Sequence, residues 1–180
     1  MEKGKGKSIS RKKMRLNITQ KLEKLPKGIL IDDKIKGHSI RGVYGIFSCD
    51  ENNQNEYCYY IGRAANIRSR FFDAGGDFHN FICSKSDKEI TMKIVENLIK
   101  DILKDKKQVK IKVIKEVSYE FDNYYRDMQR LVYEEYKVIE EYQNKNQVLH
   151  QLPEGNWIKL NRWEDLKDTM KKWRCFEVYG

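Results

Sequence analysis

From Gly42 the chain takes on a strand-like pattern: GVYGIFS at 42–48, the polar turn-forming run DENNQNE at 50–56, then YCYYIG at 57–62. Two such runs around a polar stretch predict an antiparallel hairpin with a long loop. Side chains alternate along a strand, so Tyr44 and Ile46 share one face of the first strand, and Cys58, Tyr60 and Gly62 share one face of the second. Two tyrosines can therefore meet across the hairpin. AANIRSRFF, at 64–72, reads as a short helix capped by Asn66, with Ile67 and Phe71 inward and Arg70 on the same helix. A glycine-containing stretch, DAGGDFHNF, separates it from a helix around 91–105, whose apolar stripe is Met92, Val95, Ile99, Ile102 and Leu103. VKIKVIKEV at 109–117 alternates apolar and charged residues as a strand with one exposed face does.

A long helix is predicted from about Asp122 to Tyr142. Steps of four and three give an inward stripe of Met128, Val132, Glu135, Ile139 and Tyr142, with Leu131 and Val138 beside it. Glu135 stands where a leucine belongs, and its neighbour Glu134 faces away from the stripe. After Gln147 come a Pro-Glu-Gly turn and a helix near 163–173, with Trp163, Leu166, Met170 and Trp173 on one face. That face is expected to pack on the core as an amphipathic cap, with base stacking or a dimer contact as alternatives.

At 180 residues the chain has room for one domain and modest extensions. The expected division is a basic arm and lead-in at 1–41, a main folded domain at 42–149 and an extension packed on it at 150–180. Residues 1–15 hold Lys3, Lys5, Lys7, Arg11, Lys12, Lys13 and Arg15 against Glu2 alone, the pattern of an unfolded arm. It reads either as a phosphate-tracking tail or as a solubilising terminus. A balance of 36 Lys+Arg against 27 Asp+Glu gives +9, which favours a polyanion. No stretch approaches the ~20 apolar residues of a membrane span, and the N-terminus lacks the apolar run of a secretory signal. A cytoplasmic protein without membrane association is expected. Cys49, Cys58, Cys83 and Cys175 form no C-x-x-C pair, so they read as reduced and structural.

A carboxylate on the core face of a helix must be compensated, because burying an unpaired charge costs several kcal/mol. Either an arginine of the first helix forms a salt bridge with Glu135, or a divalent ion binds there in a cleft.

GVY at 42–44, YIG at 60–62, Arg70 ten residues after Tyr60, and a later helix with an inward Glu135 together resemble the GIY-YIG nucleases. The resemblance spans 42 to about 149. It implies an α+β fold with a small three-stranded antiparallel sheet flanked by helices, and a metal-dependent endonuclease that hydrolyses DNA phosphodiester bonds. By that resemblance Tyr44 is the general base, with Tyr60 positioning water or phosphate, or the two exchange roles. Arg70 clamps a nonbridging phosphate oxygen, and Glu135 holds one Mg²⁺ or Mn²⁺. Arg63 stands where the family often has Lys or Ser, and Asn146 or Gln147 where it usually has Asn. Both positions, with His79 as a proton-transfer aid or a plain surface histidine, are candidates for substrate binding.

A free phenol with a pKa near 10 is about one part in a thousand ionised at pH 7, so a tyrosine base must be acidified. Lowering it to about 8 costs ~2.7 kcal/mol, whereas one cation at ~4 Å in a partly screened site supplies about 4 kcal/mol; Arg63, Arg70 or the ion would suffice. Double-stranded DNA is the expected partner, and cutting both strands would call for a homodimer. The competing classes are a noncatalytic nucleic-acid-binding protein on the same scaffold and an RNA-directed nuclease.

Overall fold

The protein is described by a computed structural model covering residues 16–83, 94–151, 162, 164 and 165. In chain order the elements are α1 (Ile18–Leu22), β1 (Ile29–Ile31), α2 (Asp33–Gly37), β2 (Gly42–Cys49), β3 (Tyr57–Ala64), α3 (Ile67–Phe72), α4 (His79–Cys83), α5 (Ile94–Lys104), β4 (Gln108–Glu116) and α6 (Tyr124–Gln143). The chain divides after Val148 into two units. Of the second, residues 149–151, 162, 164 and 165 are described, and the last three are helical. The basic arm at 1–15 and the stripe Trp163, Leu166, Met170 and Trp173 lie outside the described residues. Among the described residues no helix is long and apolar enough to cross a membrane.

The α+β class is as expected, but the sheet is not three-stranded and antiparallel. It has four strands in the order β1-β4-β2-β3, with β1 parallel to β4 and the other pairs antiparallel. β1 is only the run Ile29, Leu30 and Ile31, too short for periodicity to separate it from any other apolar triplet. It covers the side of β4 away from β2, so β4 is an inner strand rather than an edge. The lead-in is thus part of the fold: Ile31, Ile35 and Ile40 are buried in the main core.

That sheet separates two apolar clusters. Tyr44, Ile46, Val109 and Ile111 project to one face, where α2, α3 and α5 supply Ile35, Ile67, Phe71, Ile99 and Ile102. Val43, Phe47, Cys58 and Ile61 project to the other, covered by Val138, Ile139 and Tyr142 of α6 and by Val148. β2 is buried at every position because it is paired on both sides and covered on both faces. Hairpin, α3 and α6 fall close to where the pattern put them, except that a register shift between Ile46 and Phe47 turns Cys58 to the face opposite Tyr60, which it was expected to share. Asn66 and Asn123 each accept a hydrogen bond from the amide three residues on.

α6 is rotated slightly from its expected orientation. Its buried line is Asp127, Leu131 and Val138, and this line passes between Glu134 and Glu135. Glu134 therefore does not face away: it pairs with Lys115 of β4 at 2.6 Å. The helix start is held by a buried ion pair in which Arg41 Nη2 lies 3.0 Å from Asp127 Oδ2 and Arg41 Nη1 donates to Asp127 Oδ1, also at 3.0 Å. The same guanidinium donates to the carbonyls of Asp127 and Ser118 and lies over the Tyr119 ring. Asp127 also accepts from the Glu120 amide. Both side chains are almost wholly removed from water, so deleting one strands the other. Asp127→Ala is expected to cost about 3–5 kcal/mol, read from the urea unfolding midpoint. Lys34→Ala, which breaks an exposed pair with Glu116, should leave that midpoint unchanged.

Candidate active site

The hairpin register sets Tyr44 opposite Gly62. Alternation then places Tyr60, two residues before Gly62, on the same face as Tyr44, and the two rings lie 6.4 Å apart between centroids. Gly62 is the contact that makes this pairing possible. A Cβ there would come within 2.7 Å of the Tyr44 hydroxyl and 2.8 Å of Tyr60 Cε1. α3 follows β3 and packs Phe71 edge-on against Tyr44, with centroids 5.0 Å apart. Arg70, next to Phe71, lies close enough to the Tyr44 hydroxyl for its charge to act on it and pairs through Nε with Asp77 Oδ2 at 2.9 Å.

Asp77 was not foreseen. After the Gly75-Gly76 turn its amide donates to the Arg70 carbonyl, which brings the wholly buried carboxylate against the guanidinium. One acid in a glycine-rich polar stretch carries no periodic signal, so only the folded turn reveals it.

Burial decides the state of Tyr44. The ring is only 1% exposed, and desolvation pushes the phenol well above its ordinary value, with the Tyr60 and Asp77 charges adding to the rise and Arg70 opposing it. Of the cations expected to acidify this phenol, Arg63, Arg70 or the ion, the adjacent Arg70 does not suffice: the cost of placing a phenolate in the core exceeds its pull. Tyr60 is half-buried and lies at the edge of the same cluster.

Glu135 forms its salt bridge with Arg63, at the end of β3, and not with an arginine of α3. Alternation turns Arg63 to the α6 face, where the helix brings Glu135, while Arg70 is engaged with Tyr44 and Asp77. The Glu135 side chain is 13% exposed and that of Arg63 25%. The two groups thus approach the same end of the edge strand β3 from opposite faces of the sheet. Glu135 is a hard oxygen donor suited to Mg²⁺ or Mn²⁺ with water completing the shell. Among the described residues no three His, Cys, Asp or Glu side chains converge on a common point, so such an ion would rest on this single carboxylate.

Other candidates lie elsewhere. His79 opens α4, and its Nδ1 is 3.6 Å from Cys83 Sγ. The Gln147 side chain accepts from the Cys58 amide at 2.8 Å, and the Asn146 carbonyl accepts from the Tyr57 hydroxyl at 3.4 Å. Both sit at the start of β3, four residues or roughly 13 Å along the strand from Gly62. There they close the edge of the sheet.

No family model, curated protein or solved structure matches the chain.

Gly62→Ala should leave the fold intact but displace the tyrosine pair, visible as a changed near-ultraviolet tyrosine dichroism with a melting temperature only a few degrees lower. Unchanged dichroism would show that the close approach is not required. Burial also raises the Cys58 thiol from 9.0 to about 12, while Cys83 is exposed. Iodoacetamide at pH 9 should therefore alkylate Cys83 and spare Cys58 until the chain is unfolded, as peptide mapping would show. The unfolded Cys58 thiol ionises near 9 while the folded one keeps its proton to about 12. Its contribution to stability is complete below pH 9 and is lost as pH rises toward 12.

Proposed function

We propose that the chain is a metal-dependent endonuclease acting on double-stranded DNA by GIY-YIG-type chemistry. The observation that carries this reading is the packing of two tyrosines and a carboxylate-braced arginine around Gly62. A core that needed only apolar filling would gain nothing from burying so many polar groups together. The same end of β3 carries a carboxylate on a helix.

In this reading Arg70 holds a nonbridging phosphate oxygen, since Asp77 fixes its planar donor fork and 44% of its side chain remains exposed. Tyr44 stays protonated and shapes the cluster by packing against Tyr60 and Phe71 beside Arg70. Tyr60, the more accessible phenol, is the one placed to orient or deprotonate the attacking water. Glu135 would hold one Mg²⁺ or Mn²⁺, which when bound supplies positive charge to the transition state and to the departing 3′ oxygen. Arg63, already against Glu135, would turn toward the substrate phosphate as the ion takes over the carboxylate. One such site cuts one strand, so cleavage of both strands calls for two chains on the duplex.

A second reading, a nucleic-acid-binding protein without turnover, draws on two observations: Tyr44 is closed off from water, and Glu135 is occupied by Arg63. Nicking of supercoiled plasmid separates the two. The nuclease reading expects Mg²⁺-dependent nicking that EDTA stops and Glu135→Ala abolishes while DNA binding persists. It expects Tyr60→Phe to slow nicking by about 10²–10⁴-fold. Wild-type chain that binds DNA tightly yet never nicks it with either metal would establish the second reading instead.

A further inference from the structure

α3 has a second side. At 3.6 residues per turn, Arg68 and Arg70 point roughly 200° apart, and Arg68 lines a cavity of about 450 Å³ between α1, α3 and Ser39 that does not include Arg70. Lys21 of α1 forms part of the wall, as do Asn17, Asn66 and Ser69. Asn17 and Asn66 each use their amide oxygen to cap a helix, accepting from the amides of Gln20 and Ser69, so the group each has left for a ligand is an NH₂ donor. Hydroxyls come from Ser39 and Ser69. Among the described residues the one acid in the wall is Asp73, which lies 3.8 Å from Lys21, itself donating to the Phe72 carbonyl at 2.7 Å. Arg68 is half-buried, and among the described residues it has no carboxylate partner.

We infer that this cavity binds a backbone phosphate of the nucleic acid whose scissile phosphate is held by Arg70. The inference rests on the nuclease reading for its choice of ligand. A wall of NH₂, hydroxyl and guanidinium donors with one carboxylate, already near Lys21, favours an anion. A guanidinium left without an acid and partly withdrawn from water gains most from a phosphate oxygen. A helix with its side chains is about 10 Å across, and one strand of DNA advances about 3.4 Å per nucleotide, so a strand clamped at Arg70 passes the cavity within about three nucleotides. The chain also leads its charge here: Leu16, in the cavity wall, directly follows in sequence the segment with seven Lys and Arg residues between 3 and 15.

The test uses the full-length chain and fluorescein-labelled duplex DNA, with affinity read by anisotropy across a salt series without metal and nicking measured in parallel with Mg²⁺. Arg68→Gln should weaken binding about tenfold at low salt and flatten the slope of log affinity against log salt by about 0.9, the signature of one lost phosphate contact. Arg68→Lys should keep the slope. Ser39→Glu, an exposed change at the rim of the cavity, should reproduce the loss if Arg68→Gln proves too unstable to measure. Wild-type slope and affinity in both Arg68→Gln and Ser39→Glu, beside a wild-type chain that binds and nicks, would overturn the cavity assignment and leave the nuclease reading standing. Reduced nicking at unchanged affinity would overturn it equally. A wild-type chain that neither binds nor nicks DNA would overturn both.

Discussion

The geometry depends on the buried pairing of Arg41 with Asp127. Arg41 immediately precedes β2, the strand that carries Tyr44 and is enclosed on both sides and both faces. Asp127 lies in the first turn of α6, the helix that carries Glu134 and Glu135. Two charges this deep rarely add net stability over a well-packed apolar pair, because desolvation cancels most of their attraction. What they add is position. The guanidinium donates to one carboxylate oxygen, lies 3.0 Å from the other, and donates to the carbonyls of Val117, Ser118 and Asp127, so α6 cannot slide or rotate by a residue without stranding a charge. Fixing that register is what lets the helix meet Lys115 with one acid and Arg63 with the next.

The same conflict between burial and charge governs the tyrosine cluster. Arg70 sits between a buried phenol and a buried carboxylate, and the cost of desolvating a phenolate outweighs its pull on Tyr44, with the Asp77 charge opposing that pull further. Depth thus separates the two phenols despite their shared strand face: Tyr44 is shut off from water, and Tyr60 is reached by it.

Much of this was legible in the sequence where a period was long enough to read. Eight residues of β2, the alternation of β4 and five turns of α6 each repeat a pattern several times, and the Asn66 cap marks the start of α3. Tyr44, Tyr60 and Arg70 follow from strand parity and a short helix. β1 escaped notice because three apolar residues hold no period, and with it went the mixed sheet. Asp127 was open to detection: it lies one turn before Leu131 on the buried line, an anomaly of the same kind as Glu135. Its partner Arg41 was not, because it precedes the strand and its burial depends on contacts 86 residues away in the chain. Asp77 depends on a glycine turn whose path no local pattern specifies.

The Arg63–Glu135 pair shows why a pattern names residues more reliably than roles. An inward acid required a cation, and both the arginine and the metal ion answered that requirement equally well from the sequence. In the fold the arginine comes from β3, because strand parity turns Arg63 toward α6, while Arg70 is held on the other face by Asp77. This pairing neutralises the carboxylate within the sheet–helix layer and keeps the isolated chain from carrying a half-buried unpaired charge. It also sets a threshold for any ion that binds there, since a divalent cation must outcompete a guanidinium already in contact. On the proposed nuclease reading, a phosphate would lower that threshold by offering Arg63 another anion. Metal and nucleic acid would then favour one another at this site, because each supplies the partner that the other displaces.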